Sequence, residues 1–198
     1  MLDSGWFAEY SVEQIRYTAA AVGIPDSISF FRRYEALSYL PIQNNISALK
    51  VSRFQRSDST QPWLQDSSFL FWQESTGIYQ TAGAQVYFLL PALLKKGLQW
   101  NRNIRNNIGP NTTTLTAFSE SRSIEGKPFD DTHFVQIERI PRNFVQAKNV
   151  YQIYAKGIGM VYNYSEDIAY AQGSLFGQFI PESGSIFKET LVRSGTLP

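Results

Sequence analysis

Apolar and polar residues alternate with a period of two along most of the chain, and no amphipathic helical pattern persists for three turns. Period two sends alternate side chains to opposite faces of an extended strand, which restricts the chain to sheet structure. The gaps between strand-like runs are short. Parallel neighbours need crossovers of a dozen or more residues, so the predicted sheet is antiparallel. With roughly eight to ten strands it must curl, close or pair with a second sheet. The expected fold is mainly β, a single domain over residues 1–198: a curved antiparallel sheet forming an open or closed barrel-like structure, with little helix. A two-sheet β-sandwich is the alternative.

The runs are read as follows. Trp6 to Thr18 is a strand whose apolar parity switches between Tyr10 and Ile15, which predicts a bulge or twist. Val22 to Asp26 is a turn. Ser27 to Leu40 is a strand ended by Pro41 and Asn44-Asn45. Ala48 to Arg56 and Trp63 to Gln73 follow, with Arg53, Arg56 and Asp58 bordering the turn between them. Ile78–Thr81 and Gln85–Leu90 are short runs, and Pro91 to Gly97 is predicted to make one helical turn. Asn101 to Asn111 is a loop and Thr112 to Ser123 a half-exposed strand. Glu125 to Pro128 is a turn before the strand His133 to Ile140. Pro141 to Asn149 is a loop. Val150 to Tyr164 is a long strand kinked at Gly157 and Gly159. From Ala169 onward the apolar spacing loosens.

Composition narrows the chemistry. Hydrophobic residues are 43% and aromatics 15%, enough to build a core and too many for a disordered chain. Lys plus Arg exceed Asp plus Glu by one, so nucleic acid is not an expected partner. There is no Cys, which excludes disulfides, thiolate metal sites and a cysteine nucleophile; a single His excludes a multi-His metal centre. No cofactor or metal is expected. The N-terminus has no basic and apolar leader segments, and no stretch approaches the ~20 apolar residues of a membrane-spanning helix.

The candidate constellations are few. Asp130, Asp131, His133 and Glu138 could form a carboxylate site, yet their spacing matches no metal-ligand pattern, and no nucleophile is marked nearby. Ser119, Ser121 and Ser123 lack a nucleophile elbow. Gly157 and Gly159 lack the third glycine and following helix of a phosphate loop, and are read as structural. Filling the bare stripe they would leave on a strand predicts a cost of roughly 1–3 kcal/mol per overpacked site. The aromatics Tyr151, Tyr154, Tyr162, Tyr164 and Tyr170, and Trp63, Phe69, Phe71 and Trp72, are assigned mainly to the core, with some left for a groove.

Several segments taken in order resemble a group of predicted envelope lipoproteins of Bacteroidetes bacteria. Gly5-Trp6-Phe-Ala-Glu-Tyr10-Ser-Val12-Glu-Gln-Ile15-Arg-Tyr17 is similar to their opening. Leu49 to Arg56 with Pro62-Trp63, Leu90-Pro91 with Gly97 to Asn101, and Ile124-Glu-Gly126-Lys-Pro-Phe129-Asp130-Asp131-Thr132 resemble later segments; Arg102 stands where the group has Gly. The most specific is Tyr151-Gln-Ile-Tyr154-Ala-Lys156-Gly157-Ile-Gly159-Met-Val161-Tyr162, close to the group's Y-x-x-Y-A-K-G-V-G-L-V-Y.

The resemblance implies an exported, periplasmic or outer-membrane-anchored β-rich domain without catalytic residues. Its only link to the membrane would be an N-terminal lipid anchor on a Cys that this chain lacks, so the Met1 start is read as trimmed. The expected role is non-catalytic binding of an apolar ligand, lipid, glycan or envelope protein partner on the curved sheet. The alternative is a hydrolase using Asp130, Asp131 and Glu138, which requires those carboxylates to share a pocket.

Overall fold

The computed structural model describes residues 4–43 and 45–197. Met1-Leu2-Asp3 and Asn44, and with Asn44 part of the turn read at Asn44-Asn45, lie outside the described residues. Twelve strands form a single sheet: β1 (Trp6–Tyr17), β2 (Asp26–Gln43), β3 (Ile46–Arg56), β4 (Leu64–Glu74), β5 (Gly77–Ala82), β6 (Gln85–Pro91), β7 (Gln99–Asn101), β8 (Thr112–Ile124), β9 (Lys127–Ile140), β10 (Gln146–Ala155), β11 (Gly159–Tyr170) and β12 (Pro181–Thr196). Among the described residues only two short 3-10 turns interrupt them. Every pairing is antiparallel, each strand lies beside its sequence neighbours, and β12 returns to pair with β1. The result is a nearly closed up-and-down barrel rather than a sandwich.

One seam, between β6 and β7, has no strand ladder. Phe88 N–H donates across it to the Arg102 carbonyl at 2.8 Å, Trp100 Nε1 to the Phe88 carbonyl at 3.2 Å and Asn106 Nδ2 to the Val86 carbonyl at 2.9 Å, and Arg105 of the β7–β8 loop is held bidentately by Glu74 of β4 at 2.6 Å. Phe88, Leu90, Leu94 and Leu98 pack there against buried Trp100, Leu115 and Val135. Apolar contact thus does at the seam what backbone pairing does elsewhere.

Burial follows the pleat. Ala8, Tyr10 and Val12 of β1 share the inner face with their cross-strand partners Leu191 and Glu189, and all five are buried. Glu13 and Arg193 belong to the opposite, outer face, where both are well exposed. Glu9 is the exception there. It is buried beneath Arg193, which holds it bidentately at 2.8 and 2.9 Å, and it also faces Arg33 at 3.6 Å.

Several expectations are corrected. The strand count is twelve, because the short β7 and the 16-residue β12 carry no clear period-two signal and the run Val150 to Tyr164 is two strands. The parity change in β1 is not a bulge in that strand, which stays in step with β2. The bulge is in β12, which skips Val192 opposite Glu9 and Tyr10. Ile15 and Tyr17 are apolar on the outer face because Tyr17 packs with Ala147, Ile168, Tyr170 and Ile186 in a satellite cluster.

Pro41 does not end β2 but pairs with Ser47 inside it. Its missing N–H is tolerated because β1 follows β2 only as far as Glu35, leaving the far edge open. Residues 92–98 form bends and turns instead of a helical turn. The turn before β9 is only Glu125-Gly126, so Asp130 and Asp131 lie inside a strand.

The long strand Val150 to Tyr164 is really a hairpin, β10 and β11, turning at Lys156 to Ile158. Gly157 has a φ of +74°, and a Cβ there would meet nothing within 4 Å. Its requirement is backbone conformation at the turn, not the filled stripe expected on a strand.

Candidate functional site

The loops joining β1 to β2, β3 to β4, β9 to β10 and β11 to β12 gather at one end of the barrel, since β1, β3, β9 and β11 all run the same way in the antiparallel sheet. A cleft of about 580 Å³ opens there, lined chiefly by β1 to β4 and the β3–β4 loop. This lies within the range typical of small-ligand sites. Gln14 and Arg16 come from β1, Ile28, Phe30 and Arg32 from β2, Arg53, Gln55 and Arg56 from β3, and Leu64 and Asp66 from β4. Ser57, Gln61 and Pro62 form its lip.

Four arginines and one carboxylate, Asp66, belong to this lining, and each guanidinium is held differently. Arg53 is bound bidentately by Asp66 at 2.8 and 3.0 Å. Burial works to raise the Asp66 carboxyl, but the hydrogen bonds and charge of Arg53 outweigh it and hold the carboxyl below its ordinary range. Arg32 reaches into the barrel, where its Nη1 is 3.3 Å from Glu189 Oε1, while its Nε is buried without a partner. Glu189 also accepts from the Tyr34 hydroxyl at 3.1 Å and from Asn163 Nδ2 at 3.3 Å. The Glu189 carboxylate beneath the cleft is therefore satisfied, while the Arg32 Nε is not.

Arg16 and Arg56 have no carboxylate partner among the described residues. Arg16 donates to the Gln14 amide oxygen at 3.0 Å and makes no ion pair with Asp26, its cross-strand neighbour. Arg56, paired with Phe31, turns its side chain to the outer face of the sheet, where it donates to the Ser59 carbonyl at 3.2 Å and stacks over Trp63 at 4.2 Å, with its Nε buried and unpartnered. Trp63 lies between Arg56 and Arg33, so cation–π contacts tie the lip to the barrel wall. Ile28 and Leu64 leave 42% and 65% of their surface exposed in the same cleft.

The chain matches no protein-family model, no curated protein and no solved structure.

The carboxylates singled out in sequence do not converge. Asp130 accepts from Ser121 Oγ at 3.0 Å. Asp131 accepts from Ser119 Oγ at 2.6 Å and pairs with Lys156 at 3.3 Å. Glu138 is seven residues along β9 from Asp131, roughly 23 Å of strand, and pairs with Lys148 at 3.2 Å. His133 stacks on Phe118 at 4.8 Å, and its Nδ1 accepts from the Ser119 backbone N–H at 3.2 Å. The Ser119 hydroxyl thus gives its proton to Asp131 and not to the imidazole, the reverse of what an activated serine requires. Hydrogen bonding from Ser119 and the Lys156 charge hold the Asp131 carboxyl below its ordinary range, which suits an acceptor and not a proton donor.

The aromatics divide between core and surface. Trp72 and Tyr170 are buried, and Tyr154 donates to Gln152 at 2.7 Å. Tyr151 stacks on Phe134 at 4.6 Å and on Tyr164 at 5.1 Å, all three half-buried. Of the cleft arginines, only Arg53 and Arg56 carried any sequence signal, as the border of a turn. Arg16 and Arg32 were masked by strands that alternate normally.

Proposed function

We propose that this chain is a non-catalytic ligand-binding domain of the bacterial cell envelope, and that the cleft at the loop end of the barrel is where the ligand sits. The observation that carries the reading is a concavity of about 580 Å³ in which Ile28 and Leu64 stay 42% and 65% exposed beside Arg16, Arg32 and Arg53. The rest of the barrel supports the same view, because side chains fill its interior and leave the concavity at one end. The concavity differs from the apolar one expected of such a domain, since arginines and amides line much of it. The envelope location follows from the resemblance of the Tyr151–Tyr162 segment and its companions.

The test of the site is titration with the fluorescent probe 1-anilinonaphthalene-8-sulfonate before and after Leu64→Trp, which fills the cleft. Saturable one-to-one binding that the substitution weakens by about tenfold supports the reading. Binding that does not saturate, or that Leu64→Trp leaves unchanged, overturns it. Cell fractionation of the natural protein tests the location; recovery only in the cytosol overturns the envelope role.

A further inference from the structure

We propose that the loops joining β1 to β2, β9 to β10 and β11 to β12 form a docking surface for a lipid bilayer, with their apolar tips entering its interfacial layer. The three loops are contiguous. The Phe144 ring meets Phe176 at 5.4 Å and Phe179 at 5.3 Å, and a Cβ on Gly23 would lie 3.0 Å from Ile180 Cγ2. Ile24 is 67% exposed, and Phe144, Val145 and Phe176 are each more than half exposed. Apolar side chains clustered in this way mark a contact surface, whereas scattered ones do not. Residues 18–25 and 171–180 contain no charged side chain. Arg142, the one charge of residues 141–145, lies over the Tyr170 and Phe179 rings. At the margin Asp26 and Glu182 offset Arg139 and Arg142, so no net charge selects acidic head groups.

Hydrogen bonding within the loops selects a bilayer over a protein partner, because their amide side chains bond to the loops' own backbone. Asn143 Oδ1 accepts from the Val145 and Gln146 N–H groups at 2.8 and 2.9 Å. Gln172 Nε2 donates to the Phe144 and Tyr170 carbonyls at 3.1 and 2.7 Å, and Gln178 Nε2 to the Ser174 carbonyl at 3.4 Å. Backbone that enters an apolar medium must be satisfied internally in this way. A protein interface instead keeps about one hydrogen bond per 100–200 Å² across it. A second copy would be held by too little area. Val22, Ile24, Phe144, Val145, Phe176 and Phe179 together expose roughly 600 Å², taking about 150–250 Å² for each whole side chain, against ~800 Å² per partner in a stable interface. β1 begins and β12 ends at the opposite end of the barrel, so this contact is distinct from the N-terminal anchor that the resemblance implies.

Flotation of the 198-residue chain with phosphatidylcholine vesicles tests the assignment. Binding is expected in dilute buffer and equally at about 0.5 M sodium chloride, where attraction between charges is screened. Phe144→Ser combined with Phe176→Ser should weaken it about tenfold or more, with the melting temperature kept. Ile24→Ser, in a loop without aromatic packing, should weaken it too. In Phe176→Trp, brominated phosphatidylcholine should quench the added indole beyond the parent's level. Failure to float, or flotation unchanged by the paired substitution, overturns the proposal. Binding confined to acidic vesicles and lost at high salt does the same, since the contact is then electrostatic. A dimer in sedimentation that the paired substitution dissolves, without vesicle binding, assigns the surface to a second copy and also overturns it. Leu64→Trp should leave flotation unchanged, so this surface and the cleft can fail separately. Flotation weakened by Leu64→Trp would put the lipid in the cleft instead and overturn the loop assignment.

Discussion

Arg32 of β2 and Glu189 of β12 meet inside the barrel, across the intervening β1, with Nη1 and Oε1 3.3 Å apart and the Glu189 side chain 1% exposed. The two strands are not neighbours, so this ion pair fastens the N-terminal half of the sheet to its C-terminal strand. A buried carboxylate is tolerated only with its lone pairs satisfied, and Tyr34 and Asn163 complete the set.

Glu189→Gln should therefore destabilise the fold by about 3–5 kcal/mol, because Arg32 keeps its burial and loses its counter-charge. Urea unfolding of the variant measures this. Glu189→Gln combined with Arg32→Met should recover part of the loss, since no unpaired charge then remains.

Alkali should unfold the protein early. Burial, and next the Glu189 charge, push the Tyr10 and Tyr34 hydroxyls well above their usual range; burial and Glu166 push Tyr164 up to about 12. A tyrosine that resists ionisation when folded contributes stability that is whole below its unfolded value near 10. That contribution is lost as pH rises through the folded values. Melting temperature should fall steeply above about pH 10, and Tyr34→Phe should make the fall shallower. A flat profile across this range would contradict the burial assigned to these rings.

Gly184 and Gly157 should respond in opposite ways to substitution by alanine. A Cβ on Gly184 would lie 2.1 Å from the Asp167 carbonyl oxygen, at a φ of +120°. Gly184→Ala forces β11 and β12 apart and should cost about 3 kcal/mol, the upper range for overpacking. Gly157→Ala meets open space and should cost about 1 kcal/mol from its left-handed backbone alone. Thermal melts of the two variants give the comparison.

Single substitutions Asp130→Asn, Asp131→Asn, His133→Ala and Glu138→Gln should leave cleft binding unchanged. None of the four lines the cleft. Asp131→Asn should also stay within about 0.5 kcal/mol of the parent, because asparagine tolerates the φ of 51° found there. Loss of probe binding in any of these variants, with the melt preserved, would place a functional carboxylate outside the cleft.

The outer-face pair of Glu9 with Arg193 offers a measure of sheet closure. Glu9→Gln should cost about 1.5–3 kcal/mol, the range for a charge-assisted hydrogen bond, and should speed hydrogen exchange along β12. Arg193→Gln should cost less, since Arg193 is 63% exposed and Glu9 keeps Arg33.

Strand periodicity, short connections and turn residues determined the all-β antiparallel character, because each of these acts within a few residues of chain. The same locality explains the hairpin read as one strand: Gly157-Ile158-Gly159 sits between two runs of matching period, and period two does not record a reversal of direction. The course of β12 was likewise hidden, since Gly184, Glu189 and the skipped Val192 interrupt its apolar rhythm. Only its partners give those residues an inside and an outside. Closure of the barrel joins Tyr10 to Leu191, and the cleft brings Arg16, Arg32 and Arg53 from three strands to one concavity. Local propensity decided that these segments would be strands. The tertiary structure decided which arginines would be neutralised and which left free, because charge balance depends on neighbours brought together across the sheet.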